Sequence, residues 1–118
     1  MNTNASVALL LEDEPLISMD LEQTLGNAGF DVTTVMSCEE ANSWLNERRP
    51  DVAVVDVELR DGSCHKVVER LIEQGIPFIV HSGEQPSTHA NTPFVHGQWI
   101  GKPANPDKLV EATLALLA

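Results

Sequence analysis

D-V-A-V-V-D-V-E-L-R-D-G, residues 51–62, is the stretch whose reading decides the fold. Val52, Ala53, Val54, Val55 and Val57 are small and apolar, mostly β-branched, with no clean polar alternation. A short run of that kind suits a strand buried on both faces, as in a parallel sheet covered by helices. Asp56 is dropped into this run, and the turn residues Arg60, Asp61 and Gly62 follow at once. A carboxylate at the carboxyl end of a central strand sits where open α/β sheets bind their ligands. Taken alone, Asp56 reads equally well as a loop cap. The other strand ends decide.

Upstream, Val7 to Leu11 is a second strand of the same type, and it too runs into acid at Glu12, Asp13 and Glu14. Pro15 suits the first turn of a helix, along which Ile17, Leu21, Leu25 and Ala28 recur at helical spacing. Phe30 to Val35 alternates and is expected at a sheet edge. Ser37 and Glu40 fit a capping box for a helix carrying Ala41, Trp44 and Leu45, which Pro50 stops.

Downstream, Ser63 is the candidate cap of a third helix with Val67, Val68, Leu71 and Ile72 inward and Gly75 at its C′ position. Pro77 to His81 reads as a fourth strand, followed by Ser82-Gly83. Residues 84–97 hold two prolines and no helical apolar repeat, so the helix due there is expected to be short or absent. Gln98-Trp99-Ile100 makes a fifth strand, closed by Gly101-Lys102-Pro103. Asn105, Pro106 and Asp107 launch a last helix with Leu109, Val110, Thr113, Leu114 and Leu117 as its buried face. The expected fold is α/β: a flavodoxin-like, doubly wound five-stranded parallel sheet of order 2-1-3-4-5, in one domain over residues 1–118.

Composition narrows the functional classes. Seven Lys and Arg stand against 18 Asp and Glu, a formal charge of −11, which argues against binding nucleic-acid backbones or anionic membranes. No signal peptide or membrane span is visible, so a cytoplasmic protein is expected. Cys38 and Cys64 lie far apart in no metal-ligand pattern and are read as reduced thiols without a role. The four His are read as surface or packing residues.

The predicted topology gathers Glu12, Asp13 and Asp56 at one sheet edge, with Ser82 and Lys102 beside them. Two unit charges ~5 Å apart repel by roughly 3 kcal/mol at an effective dielectric near 20, so three carboxylates there call for a cation. Hard oxygen ligands suit Mg²⁺, with Mn²⁺ a candidate substitute. One lysine and one hydroxyl added to that set suit a phosphoryl group, and a carboxylate can accept one as an acyl phosphate. The bland reading of the same residues is an acidic cluster ion-paired to Lys102.

L-L-L-E-D-E-P (9–15), V-V-D-V-E-L-R-D-G (54–62), V-H-S-G (80–83) and I-G-K-P (100–103) resemble the receiver domain of two-component response regulators over the whole chain. That resemblance implies Asp56 as phosphoacceptor, with Lys102 and Ser82 contacting the phosphoryl group. It implies Glu12, Asp13, Asp56 and the Glu58 backbone carbonyl as Mg²⁺ ligands, and a cis Lys102–Pro103 bond. Trp99 matches the aromatic that swings inward with the hydroxyl residue; without the resemblance it reads equally as a strand aromatic packing the last helix.

E-D-E-P-L-I-S-M-D-L-E (12–22), the 47–63 stretch and G-I-P-F-I-V (75–80) look like single-domain receivers of alphaproteobacteria, often partnered with histidine kinases of the HWE type. Many of those carry an F-A-T-G-Y stretch and lack an ordered fourth helix; this chain has Ile79-Val80-His81-Ser82-Gly83-Glu84 there and departs at the aromatic and threonine positions. The implied partners are a sensor histidine kinase or histidine phosphotransfer protein and a downstream protein of unspecified kind. A homodimer is left open, and no nucleic acid or membrane is expected.

The function expected is a phosphorylated signalling receiver without an output domain, not a turnover enzyme. Two alternatives stay open: a constitutive interaction module with a structural acidic pocket, and a Mg²⁺-dependent phosphatase using an Asp nucleophile with Glu58 as its acid.

Overall fold

The apolar runs pair as parallel strands. The computed structural model describes residues 5–117; the remaining residues of the expected 1–118 domain lie outside the described residues. Strands β1 (Val7–Leu11), β2 (Asp31–Val35), β3 (Val52–Val55), β4 (Phe78–Ser82) and β5 (Gln98–Gly101) form one sheet in the order β2-β1-β3-β4-β5. This is the predicted 2-1-3-4-5 order, with β2 and β5 at the edges. Helices α1 (Pro15–Asn27), α2 (Cys38–Glu47), α3 (His65–Glu73) and α4 (Pro106–Ala115) cover both faces.

Side-chain alternation along the central strands divides the core. Leu9, Leu11, Ala53, Val55, Phe78 and Val80 pack with α2 and α3. Ala8, Leu10, Val52, Val54 and Ile79 pack with Leu21 and Leu25 of α1 and Leu109 of α4. Both faces of β3 are therefore dry, which is why its sequence shows no polar alternation.

Several local expectations hold, and some need correcting. Ser37 Oγ accepts from Glu40 N at 3.1 Å, as a capping residue should. Among the described residues Glu40 makes no return bond to Ser37 N; Asp61 satisfies the next two amides instead, its carboxylate accepting from Cys38 N (2.8 Å) and Glu39 N (3.0 Å). Asp61 belongs to a two-residue hairpin, Glu58–Leu59 with Gly62–Ser63, that the sequence reading did not anticipate. At α3 the cap position is Cys64, and Ser63 Oγ accepts from His65 N instead. Gly75 takes φ +71°, and the Ile76 and Gly75 amides close α3 on Leu71 O and Ile72 O, a Schellman ending that needs a residue without Cβ strain.

Ile72 and Leu114, expected inward, are 39% and 46% exposed. Each lies at the margin of its helix's apolar arc, where one helical step of rotation moves it to solvent. Residues 84–97 form two short 3₁₀ turns, Pro86–His89 and Pro93–His96, in place of a helix. No helix among the described residues is long and apolar enough to cross a membrane.

Candidate functional site

The register of the sheet brings the strand ends together. Leu11 pairs with Val55 and Val55 with Val80, so the next residues along β1 and β3 are Glu12 and Asp56. Asp56 N donates to Leu11 O at 3.1 Å, which holds the two ends level. Carboxylate oxygens of Glu12, Asp13 and Asp56 all fall within 4.8 Å of one another. Glu12 is 1% exposed, while Asp13 and Asp56 keep partial access to solvent.

Lys102 reaches the cluster from the end of β5. Its Nζ lies 2.8 Å from Asp56 Oδ2 and 3.0 Å from Glu12 Oε1. Glu12 Oε2 also accepts from Glu14 N at 3.1 Å. Burial raises the Glu12 pKa above its ordinary value, and the contacts with Lys102 and Glu14 N only partly oppose this. At Lys102, burial works against the charge, but the bonds to Asp56 and Glu12 outweigh it and hold the pKa above that of a free lysine. The Lys102–Pro103 bond is cis, as the resemblance implied.

Ser82, 2% exposed, ends β4 beside Gly101 of β5. Its Oγ accepts from Glu84 N at 3.0 Å, and its carbonyl accepts from Lys102 N at 2.8 Å. A hydroxyl used this way still has its proton to donate. Glu58 is exposed, in the hairpin that follows Asp56. Asp61, read from the sequence as a turn residue, caps α2. Its carboxyl stays below the usual range because the Cys38 and Glu39 amides donate to it.

Trp99 is half-buried on β5. Its Nε1 donates to Glu84 O at 3.2 Å, and its ring stacks on His89 at 5.7 Å between centroids. His89 in turn meets Phe94 edge-on and lies 3.2 Å from Glu84. The sequence reading treated His89 as unremarkable packing, yet it ties the 84–97 segment to Trp99.

His81 was also passed over. It is 5% exposed, and among the described residues neither ring nitrogen has a protein hydrogen-bond partner. Burial and then the nearby Lys102 charge depress its pKa to about 4, against a smaller opposing effect of Asp56. It borders an open groove of ~570 Å³ lined by Ile17, Asp20, Lys102 and Ala104 among others. Its signal was present in the sequence: a ring that directly follows the apolar strand residues Phe78, Ile79 and Val80.

A buried glutamate, two accessible aspartates, one lysine and one hydroxyl make an oxygen-rich, partly solvated site with a single fixed positive charge. Hard oxygens open to water are the donor set that Mg²⁺ takes, and the fit is good. Similarity to known proteins agrees with this geometry. The photosynthetic apparatus regulatory protein RegA of Cereibacter sphaeroides is 29% identical, with 98% of this chain and 64% of RegA aligned. The chain spans less than two thirds of the length of the first curated relatives it matches, from 22% to 64%. A response regulator receiver protein from Sinorhizobium medicae superposes with TM-score 0.87 at 28% identity, covering 98% of this chain and 97% of that one. The receiver domain of the sensor histidine kinase PA1611 from Pseudomonas aeruginosa, solved with a magnesium ion coordinated in its active-site cleft, superposes with TM-score 0.83 over 96% of this chain and 98% of its own. At 18% identity that last likeness speaks for the fold. The family model of the response regulator receiver domain matches residues 8–114, and the chain belongs to that family.

Proposed function

We propose that this receiver accepts a phosphoryl group on Asp56 from a phosphohistidine of a sensor kinase or phosphotransfer protein, and signals through altered partner contacts in the cytoplasm. The observation that carries the reading is the Glu12–Asp13–Asp56 carboxylate cluster with Lys102 Nζ 2.8 Å from Asp56. An Asp56 oxygen attacks phosphorus, the P–N bond breaks, and the electron pair leaves with the imidazole. Glu12, Asp13, Asp56 and the Glu58 carbonyl are the proposed ligands of Mg²⁺, with Mn²⁺ as a substitute. The metal supplies neutralisation of phosphoryl charge. Lys102 then exchanges its carboxylate partners for a phosphoryl oxygen, and the Ser82 hydroxyl donates to another.

Trp99 is the proposed relay. It is already fastened to the segment after Ser82 through Glu84 and His89, so a shift of Ser82 reaches the 84–97 surface through it. Two 3₁₀ turns in place of a fourth helix support the narrower reading of a kinase of the HWE type as donor. No turnover of external substrates is part of this proposal. Phosphotransfer from a panel of purified, labelled histidine kinases tests it: one donor is expected to label the protein within seconds, and uniformly slow labelling by all would count against it.

One observation favours a second reading. Lys102 already pairs with both Glu12 and Asp56, as it would in a constitutive interaction module with a structural acidic pocket. Absence of label together with Mg²⁺ affinity only in the tens of millimolar would favour that module.

A further inference from the structure

Cys38 and Cys64, which the linear sequence separates, meet in the fold. Cys38 is the first residue of α2 and Cys64 the residue before α3. Their Sγ atoms lie 2.9 Å apart, about an ångström more than the ~2.05 Å of a covalent S–S bond. Two anchors hold them there. Cys38 N donates to Asp61 Oδ1 at 2.8 Å, and Cys64 N donates to Val57 O at 2.9 Å. Cys38 Sγ also has the Gly62 and Ser63 carbonyls at 3.6 Å as acceptors.

Access differs between the two. Cys64 is fully buried, and Cys38 is partly exposed. An oxidant therefore meets Cys38 first, and Cys64 stands behind it as the resolving thiol.

We infer that Cys38 and Cys64 are a reversible dithiol–disulfide site, oxidised by hydroperoxides. In the first step the Cys38 sulfur attacks one oxygen of hydrogen peroxide. The O–O bond breaks, water leaves and Cys38 becomes a sulfenic acid. In the second step the Cys64 sulfur attacks the Cys38 sulfur, an S–S bond forms and a second water leaves. Overall each thiol loses one proton and one electron, and the peroxide takes up both protons and both electrons to leave two waters. A dithiol reductant reverses the change. Burial pushes the thiol pKa of both cysteines up, so the first step is slow at neutral pH and speeds up as pH rises toward the thiol range. The bond joins the starts of α2 and α3 across the hairpin that follows Asp56, and it is independent of whether Asp56 is phosphorylated.

The test treats the folded full chain with hydrogen peroxide, quenches with an alkylating agent under denaturing conditions and measures intact mass. The expected product is a monomer lighter by two hydrogens, with no alkylation, a Cys38–Cys64 cross-linked peptide and full reversal by dithiothreitol. Tm of the oxidised protein is expected to rise by several degrees, since the link closes a loop in the unfolded chain. Cys38→Ser and Cys64→Ala are each expected to abolish the loss of hydrogens; Cys38→Ser lies at a partly exposed position and keeps the test available if Cys64→Ala folds poorly. Two alkylatable thiols after treatment, oxygen added to Cys38 with Cys64 still free, or a cross-linked dimer in place of the monomer would each overturn the inference.

Discussion

Lys102 Nζ lies 2.8 Å from Asp56 and 3.0 Å from Glu12, so one amine from the last strand holds the ends of the first and third. Glu12 is buried and Asp56 half-buried, and neither negative charge sits there cheaply without that partner. The ion pairs thus join architecture to chemistry: the charge that stabilises the resting site is the one a phosphoryl group would recruit.

Lys102→Ala should destabilise the protein by about 2–3 kcal/mol at neutral pH, less than the ~3–5 of a wholly buried pair because the site keeps some solvent. Urea unfolding in the presence of a chelator measures this. Because the folded Lys102 pKa lies above its unfolded value, the contribution is intact below about pH 10.5 and is lost as pH rises through the folded value. An unchanged midpoint would contradict the structural role.

Protonating His81 should destabilise the protein from the acid side. The unfolded ring takes a proton near pH 6.5, whereas the folded ring resists it until about pH 4. The unfolded state therefore binds more protons between those values, and stability falls as pH drops through that window. The loss approaches roughly 3 kcal/mol by its lower end. His81→Leu should flatten this slope and keep or raise stability at pH 7, since an apolar group leaves no buried ring nitrogen without a partner. Chemical denaturation at several pH values compares the two slopes.

Gly97 precedes β5 against the Phe78 ring, and a Cβ added at Gly97 would collide with that ring. Phe78 is 4% exposed and packed in the core. Gly97→Ala should cost about 1–3 kcal/mol, visible as a lower Tm. Phe78→Leu in the same chain should recover part of the loss, a coupling that separated sites would not show.

The central strands and the strand-end residues could be read from the linear chain because each signal is local: an unbroken apolar run, then an acid, a serine or a lysine. Sheet order and the Glu12–Asp13–Asp56–Lys102 grouping follow once those runs are placed. What escaped was set by contacts between distant segments. Asp61 capping α2 and Cys64 meeting Cys38 depend on the unforeseen hairpin at 58–63. Ile72 and Leu114 satisfy a helical period and still face solvent, since periodicity gives an arc and not its edges. His81 stood in view at the end of an apolar run; its burial beside Lys102 needed the packed α1 and α4 face to be seen.

Mg²⁺ binding should depend on the carboxylates in order of their access. Asp13→Asn is expected to weaken Mg²⁺ at least tenfold, about 1.4 kcal/mol, with little effect on the fold. Glu12→Gln should weaken binding and also loosen the Lys102 ion pair. Calorimetric titration gives the affinities, and the rise of Tm with Mg²⁺ gives an independent check. Equal affinity in wild type and both variants would place the metal elsewhere.

The most direct test treats the protein with a small acyl-phosphate donor and Mg²⁺ and follows intact mass. The account predicts one added phosphoryl group on the wild-type chain, lost on chelating the metal beforehand and absent in Asp56→Asn. An Asp56→Asn protein labelled to the same extent as wild type would contradict it.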